Sequence, residues 1–272
     1  MEHIKIMTEN KNFDWNEFLH NRMAVGQYSF TVNELTDEFH LTEKVIFQAL
    51  NRLIKKRAIA KIRQGFYVVL TPDSVKSGIL SIYLYIDDLM KSLGKPYYLG
   101  LLGAAALHGA AHQAPMANYI ITFNPVPRNI INEKMKLYFI GKKELLAEGI
   151  VQKKGQAGYF NVSSPELTAF DLLDQIRRFG LNHITTVLQE LHEVMKGVAL
   201  KRIAILNNTA NIQRLGYILE NFCENQKLAA VLYNIIEQKK ISYLPLSPVQ
   251  KRVGKHDNKW KIIINTEIDP DL

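Results

Sequence analysis

Between Thr42 and Arg63 the chain gathers side chains suited to an anionic, hydrogen-bonding partner. Lys44, Phe47, Gln48, Asn51, Arg52 and Lys55 recur at helical spacing along one side. Val45, Ile46, Ala49, Leu50, Leu53 and Ile54 form the opposing apolar stripe. Carboxamides can read adenine edges, and cations pair with guanine or phosphate. Thr42 stands where it would cap this helix, and Lys56 follows its last turn. Lys61 and Arg63 then fall on a strand that turns back at Gln64-Gly65. The charge is sorted as well. Residues 1–41 carry three basic against seven acidic residues, whereas Thr42–Arg63 carry seven basic against Glu43 alone. Such segregation inside one small domain puts the positive excess where a nucleic acid would lie.

Other pairings promise less chemistry. His108 and His112 are four apart, which on a helix suits a metal, but Gly109 stands where a zinc protease needs its glutamate. No carboxylate or cysteine nearby completes a ligand set, so no metal or other cofactor is expected, and a buried, hydrogen-bonded His108 is the simpler reading. Glu166 and Asp171 are five apart and point to different sides of a helix start, so capping and surface roles are expected for them. Lys153-Lys154 beside Gly155 and Gly158 lack the following helix of a phosphate loop and read as a hairpin turn. No Ser-His-Asp or Cys-His arrangement has a supporting context, and no carboxylates cluster around a strand, so neither an enzyme nor a nuclease is expected. Cys223, the one cysteine, reads as a packing residue and excludes a disulfide framework. Residues 227–261 form a second basic region, with Lys227, Lys239, Lys240, Lys251, Arg252, Lys255, Lys259 and Lys261 against Glu237 and Asp257. It suits RNA, DNA flanking an operator or an acidic protein surface, or else a solvated loop around Ser247–Asn258.

The elements around the first constellation follow from periodicity. Phe13, Trp15, Phe18, Leu19 and Met23 predict a helix ending near Gly26, and Tyr28, Phe30 and Val32 a short extended segment. Leu35 and Phe39 belong to a second helix capped by Thr31 or Asn33, and His40-Leu41 make the turn to the third. Helix, helix, basic helix and basic hairpin is the order of a winged helix-turn-helix. The third helix would enter the major groove of double-stranded operator DNA, and the hairpin would reach the backbone or minor groove. The predicted contacts are thus Thr42, Lys44, Gln48, Asn51, Arg52, Lys55, Lys56, Lys61 and Arg63.

Thr71-Pro72-Asp73-Ser74 ends the hairpin, so residues 1–76 are expected to form the DNA-binding domain and 77–272 a larger mixed α/β domain. Within the latter, helices are expected over Ser81–Leu93 and Tyr98–Gly109. Strands are expected over Asn118–Phe123 and Lys136–Ile140, and near Ile150 and Tyr159. Ser164-Pro165-Glu166 starts a helix, with four or five helices running to about Gln238. Strands at Ile241–Leu244 and Trp260–Ile264 close the chain. The fold class is helix-rich α+β. The 272 residues, 47% hydrophobic with net charge +8, suit two packed domains and an anionic partner. The N-terminus lacks a signal-peptide pattern, and the uncharged stretch Pro96–Val126 is too interrupted to span a membrane. A cytoplasmic location without membrane association is expected.

The runs YYLGLLGAAALHGAAHQAP (97–115), SSPELTAFDLL (163–173), IQRLGYILE (212–220) and KWKIIINTEI (259–268) occur in an order that resembles the AbiEi family of antitoxins. The resemblance covers essentially the whole chain and implies an N-terminal winged helix that represses the operon and a C-terminal domain that supplies antitoxin activity. It implies as partner a nucleotidyltransferase-like toxin from the same operon, or that toxin's nucleic-acid target. Self-association on DNA belongs to the same expectation. The alternative is a stand-alone regulator whose second domain senses a ligand or oligomerises.

Overall fold

A computed structural model describes residues 13–269 apart from 41, 78–79, 111–115 and 134. The chain divides into two units, Met1–Tyr85 with Gln156–Gly158, and Ile86–Gly155 with Tyr159–Leu272.

The first unit begins with α1 (Trp15–Ala24), whose N-cap Asp14 accepts from the amides of Asn16 and Glu17 at 2.8 and 3.2 Å. β1 (Ser29–Thr31) runs directly into α2 (Val32–Phe39) because Thr31 and Glu34, three apart, form a capping box. The Thr31 hydroxyl accepts from Glu34 N at 3.1 Å and the Glu34 carboxylate accepts from Thr31 N at 2.6 Å, satisfying two otherwise orphaned donors. His40, in the left-handed region at φ 52°, ends α2. α3 (Glu43–Lys55), β2 (Ile59–Arg63), β3 (Phe66–Val69) and α4 (Pro72–Ser77) follow. The three strands form an antiparallel sheet in the order β1-β3-β2, and Gly65 at φ 77° supplies the tight turn between the last two. Leu19, Phe30, Leu35, Ile46, Leu50, Ile59 and Tyr67 make the core.

Val45 departs from the expected stripe: it is 46% exposed, and the core side of α3 is carried by Ile46, Ala49, Leu50 and Leu53. Thr42 sits at the N-cap with extended backbone, but its hydroxyl makes no capping hydrogen bond.

The second unit contains α5 (Ile86–Ser92), β4 (Tyr97–Gly100), α6 (Leu101–Leu107), β5 (Asn118–Phe123), β6 (Ile130–Ile131), β7 (Lys136–Lys142), β8 (Ile150–Gly155) and β9 (Gly158–Ser163). Six strands form one mixed sheet, β6-β7-β5-β4-β9-β8, in which β4 pairs antiparallel to β5 and parallel to β9, and β5 pairs parallel to β7. β8 and β9 are joined through residues 156–157, the hairpin expected of Gly155 and Gly158. The structure corrects the expected helix over Tyr98–Gly109. Tyr97–Gly100 is a central strand, because pairing on both edges outweighs the local run of small residues, and the helix starts only at Leu101. A Cβ on Gly100 would lie 2.8 Å from the Ile121 side chain, so this glycine serves the close approach of β4 to β5. Likewise, Ser81–Leu93 is a 3₁₀ turn at Ile82–Leu84 followed by α5 rather than one helix.

Six α-helices then cover residues 165–236 among those described, against the four or five expected: α7 (Pro165–Asp174), α8 (Ile176–Phe179), α9 (Leu181–Leu191), α10 (Gly197–Ile205), α11 (Thr209–Asn221) and α12 (Gln226–Ile236). The count differs because Gln175 and Gly180 break one apolar run into three short helices. Ser164 caps α7, with Pro165 at its first position, as the sequence predicts. α7 is the central helix, buried at every position from Glu166 to Leu173. β10 (Leu244–Pro245), β11 (Lys255–Asp257) and β12 (Ile262–Ile264) form a small sheet in the order β10-β12-β11, of which the sequence misses β11. Trp260 precedes β12 and is fully buried against α11. That contact requires Gly216, where a Cβ would lie 2.0 Å from the indole ring. Gln213 completes the junction, donating to the Trp260 carbonyl at 2.8 Å and to Ser242 at 3.1 Å. Among the described residues, no helix is long and apolar enough to cross a membrane.

Candidate nucleic-acid interface and a buried ion pair

α3 with its flanking residues Thr42 and Lys56, and strand β2, carry all nine predicted contact residues. Thr42, Lys44, Gln48, Asn51, Arg52, Lys55, Lys56 and Lys61 are exposed. Five of them, Lys44, Gln48, Asn51, Arg52 and Lys55, follow the spacing that stacks side chains along one helix face, and the stripe spans about 16 Å at 1.5 Å per residue. Phe47, 41% exposed, sits among them and offers an apolar contact of the kind a thymine methyl accepts. The uncommitted Thr42 hydroxyl at the helix start is free to donate to an anion. Arg63 differs from the others: it is half-buried, and its Nη1 is buried without a hydrogen-bond partner. The register of β2 against β3 shifts between Lys61 and Arg63.

The second unit holds a constellation that sequence reasoning missed. Asp171, expected at the surface, has a side chain only 1% exposed. Its Oδ2 accepts from the Tyr98 hydroxyl at 2.9 Å, and its Oδ1 pairs with the Lys142 ammonium. Lys142 also lies 3.5 Å from Asp174 Oδ2, while Asp174 Oδ1 accepts from Asn211 Nδ2 at 2.6 Å. Strand β4, strand β7, helix α7 and helix α11 thus meet at five side chains. Burial pushes the Asp171 carboxyl above the ordinary aspartate range, and Lys142 and Tyr98 pull it partly back. Burial works the other way on Lys142, but Asp171 and Asp174 override it and hold the ammonium above its usual value. Burial, then Asp171, hold the Tyr98 phenol well above its ordinary range. The set ties the four elements together, with each carboxylate oxygen of Asp171 directed at a donor. Glu166, also expected at the surface, is 3% exposed and accepts from Lys196 N at 2.8 Å. Both acids are buried because α7 lacks a solvent-facing side over Glu166–Leu173, which its short sequence period conceals.

His108 Nε2 donates to the Ser163 carbonyl at 2.7 Å, and burial lowers its basicity. His112, the other half of the possible metal pair, lies outside the described residues. Among the described residues no group of three or more His, Cys, Asp or Glu side chains is placed to hold a metal. Cys223 is buried just beyond α11, and burial pushes its thiol up to about 12.

Against known proteins, residues 98–221 match the family model of the AbiEi antitoxin C-terminal domain. This segment is similar to an AbiEi antitoxin domain. Its first residue is Tyr98, and the whole Tyr98–Lys142–Asp171–Asp174–Asn211 set lies within it. Among solved structures, the RV2827C protein from Mycobacterium tuberculosis superposes with a TM-score of 0.65 at 12% identity, over 91% of this chain and 89% of that one. The two chains therefore share a fold across both units, not only across the AbiEi domain. An antigenic nucleotidyltransferase-like protein from Paracoccidioides brasiliensis aligns with a TM-score of 0.35 at 12% identity, over 60% of this chain and 94% of that one, a likeness too low to carry a conclusion. No curated protein matches the sequence.

Proposed function

We propose that the chain is the antitoxin of a toxin–antitoxin pair and represses its own operon. In this reading the first unit is a winged helix-turn-helix: α3 lies in the major groove of operator DNA, and the β2–β3 hairpin is the wing. The AbiEi domain counteracts a nucleotidyltransferase-like toxin from the same operon. The observation that supports DNA binding most directly is the exposed amide-and-cation stripe of Lys44, Gln48, Asn51, Arg52 and Lys55, headed by the free Thr42 hydroxyl. Amides would read bases, while Lys61 and Arg63 would hold phosphates.

Two variants test it. Gln48→Ala should cost about 1–3 kcal/mol on the operator and little on random duplex. Lys61→Gln with Arg63→Gln should weaken all duplex binding and lower the salt slope by about two. Equal losses of Gln48→Ala on both duplexes would remove the base-reading role. The antitoxin half is tested with the toxin expressed from an unrelated promoter beside a full-length chain carrying Gln48→Ala and Lys61→Gln. Continued protection is expected; loss of protection by a soluble, folded variant would reduce the function to repression alone.

A further inference from the structure

The small C-terminal sheet carries a surface that repression does not use. The Tyr243 ring, just before β10, lies 4.8 Å from the His256 ring of β11 in a tilted pair at an interplanar angle of 32°. The Lys261 ammonium sits 5.1 Å from the Tyr243 centroid. The Tyr243 hydroxyl donates to Asn258, which anchors the ring, and Arg252 donates to the Tyr243 backbone carbonyl. His256 is exposed, as are Lys251, Arg252 and Lys255. The acids that might neutralise this cluster are committed elsewhere. Asp257 accepts from Trp260 N at 2.7 Å, and Glu220 holds Lys259 and the Trp260 indole. Lys251, Arg252, Lys255 and Lys261 have no acidic partner among the described residues.

An anchored aromatic pair inside uncompensated positive charge is the arrangement that single-stranded nucleic acid binds: unpaired bases stack on the rings and the backbone follows the cations. Duplex has no use for the rings, since its bases are already stacked and its recognition runs through groove edges. An acidic protein surface would need the cations but not a flat exposed imidazole. We infer that the Tyr243–His256 face is a binding site for single-stranded nucleic acid, with His256 stacking on a base and Lys251, Lys255 and Lys261 contacting phosphates. This holds whether or not α3 reads an operator.

The test uses the full-length chain with fluorescein-labelled 12-mers of uridine and of deoxythymidine, titrated at several salt concentrations with random duplex as competitor. His256→Ala should weaken single-strand binding roughly tenfold, the loss of one base–aromatic stack. Lys251→Gln with Lys255→Gln should reduce the salt slope by about 1.4, that is 0.7 for each lost phosphate contact on a single strand. Both sites are exposed, so folding is preserved, and circular dichroism checks it. Lys61→Gln, which tests the proposed duplex interface, should leave single-strand affinity unchanged. Preference for the uridine oligomer would assign the face to RNA, and equal binding to single strands in general. Single-strand affinity indifferent to His256→Ala, or patch variants that weaken duplex as much as single strands, would overturn the inference.

Discussion

Replacing Lys142 with methionine should destabilise the second unit by about 3 kcal/mol at pH 7, and by less as the pH falls. Removing one partner of a buried ion pair costs about 3–5 kcal/mol, because the other charge stays buried and unpaired. The Lys142 side chain is 22% exposed and Asp171 only 1%, so the pair is partly hydrated from the lysine side and the lower end applies. Methionine keeps the length of the lysine stem, so the loss is electrostatic rather than a cavity. Tyr98 still donates to Oδ2, and only the Oδ1 side is abandoned. The pH dependence fixes the mechanism. Burial already raises Asp171, and without Lys142 it rises further. A carboxyl raised in the folded chain keeps its proton where the unfolded chain has released it, so stability falls as pH climbs above about 3.9. The deficit of Lys142→Met should therefore be smallest near pH 4 and grow toward neutrality. Lys142→Met with Asp171→Leu should recover much of it, since an apolar pair of similar volume avoids the unpaired charge. Urea titrations followed by fluorescence would measure this in a Trp15→Phe background, where the fully buried Trp260 alone reports. A deficit under about 1 kcal/mol, or one independent of pH, would refute the coupling.

Gly216→Ala should cost at least about 1–3 kcal/mol by thermal denaturation, because a Cβ 2.0 Å from the buried Trp260 ring forces one of two packed elements to move; an unchanged melting temperature would mean the ring has room. The Cys223 thiol, pushed up to about 12 by burial, should resist an aromatic disulfide reagent at pH 8 until urea unfolds the chain. His108, lowered by burial, favours its neutral form, so its contribution is present above about 6.5 and lost as pH falls through its folded value, with a slope of at most about 1.4 kcal/mol per pH unit. His108→Gln should remove that slope between pH 7 and 5, and a wild-type slope in the variant would place the acid sensitivity elsewhere.

Where structure follows from neighbours in sequence, the residues announce it. Thr31 and Glu34 close a capping box three positions apart, Ser164-Pro165 starts α7, and Gln64-Gly65 turns the hairpin. The exposed stripe of α3 is legible for the same reason: helical period and charge sorting are local properties, and a surface stripe answers to little else. Tyr98–Gly100 is read as the start of a helix because its neighbours at 103–106 are small; it is strand because β5 and β9, distant in sequence, pair with it on both sides. Val45 escapes for a related reason, since the apolar period admits it but the small core leaves it outside.

The buried set is the extreme case. Asp171 meets Tyr98 across 73 residues of sequence and Lys142 across 29, so neither partner leaves a trace in local spacing. A charged residue inside an apolar helix reads as surface unless its partner is known. The same separation defines what the set does. Against apolar packing a buried ion pair adds little net stability, but any arrangement of β4, β7 and α7 that leaves Asp171 unpaired is penalised by several kcal/mol. Gly216 and Trp260 act alike through shape: the indole can be buried only against the one residue of α11 that lacks a side chain there. Two of the runs that carry the AbiEi resemblance, IQRLGYILE and KWKIIINTEI, are the two halves of that contact. A third, SSPELTAFDLL, contains Asp171 itself, and the first, YYLGLLGAAALHGAAHQAP, contains Tyr98. The motifs of the second unit thus carry long-range constraints on packing, and charge and exposure single out the surfaces left for partners.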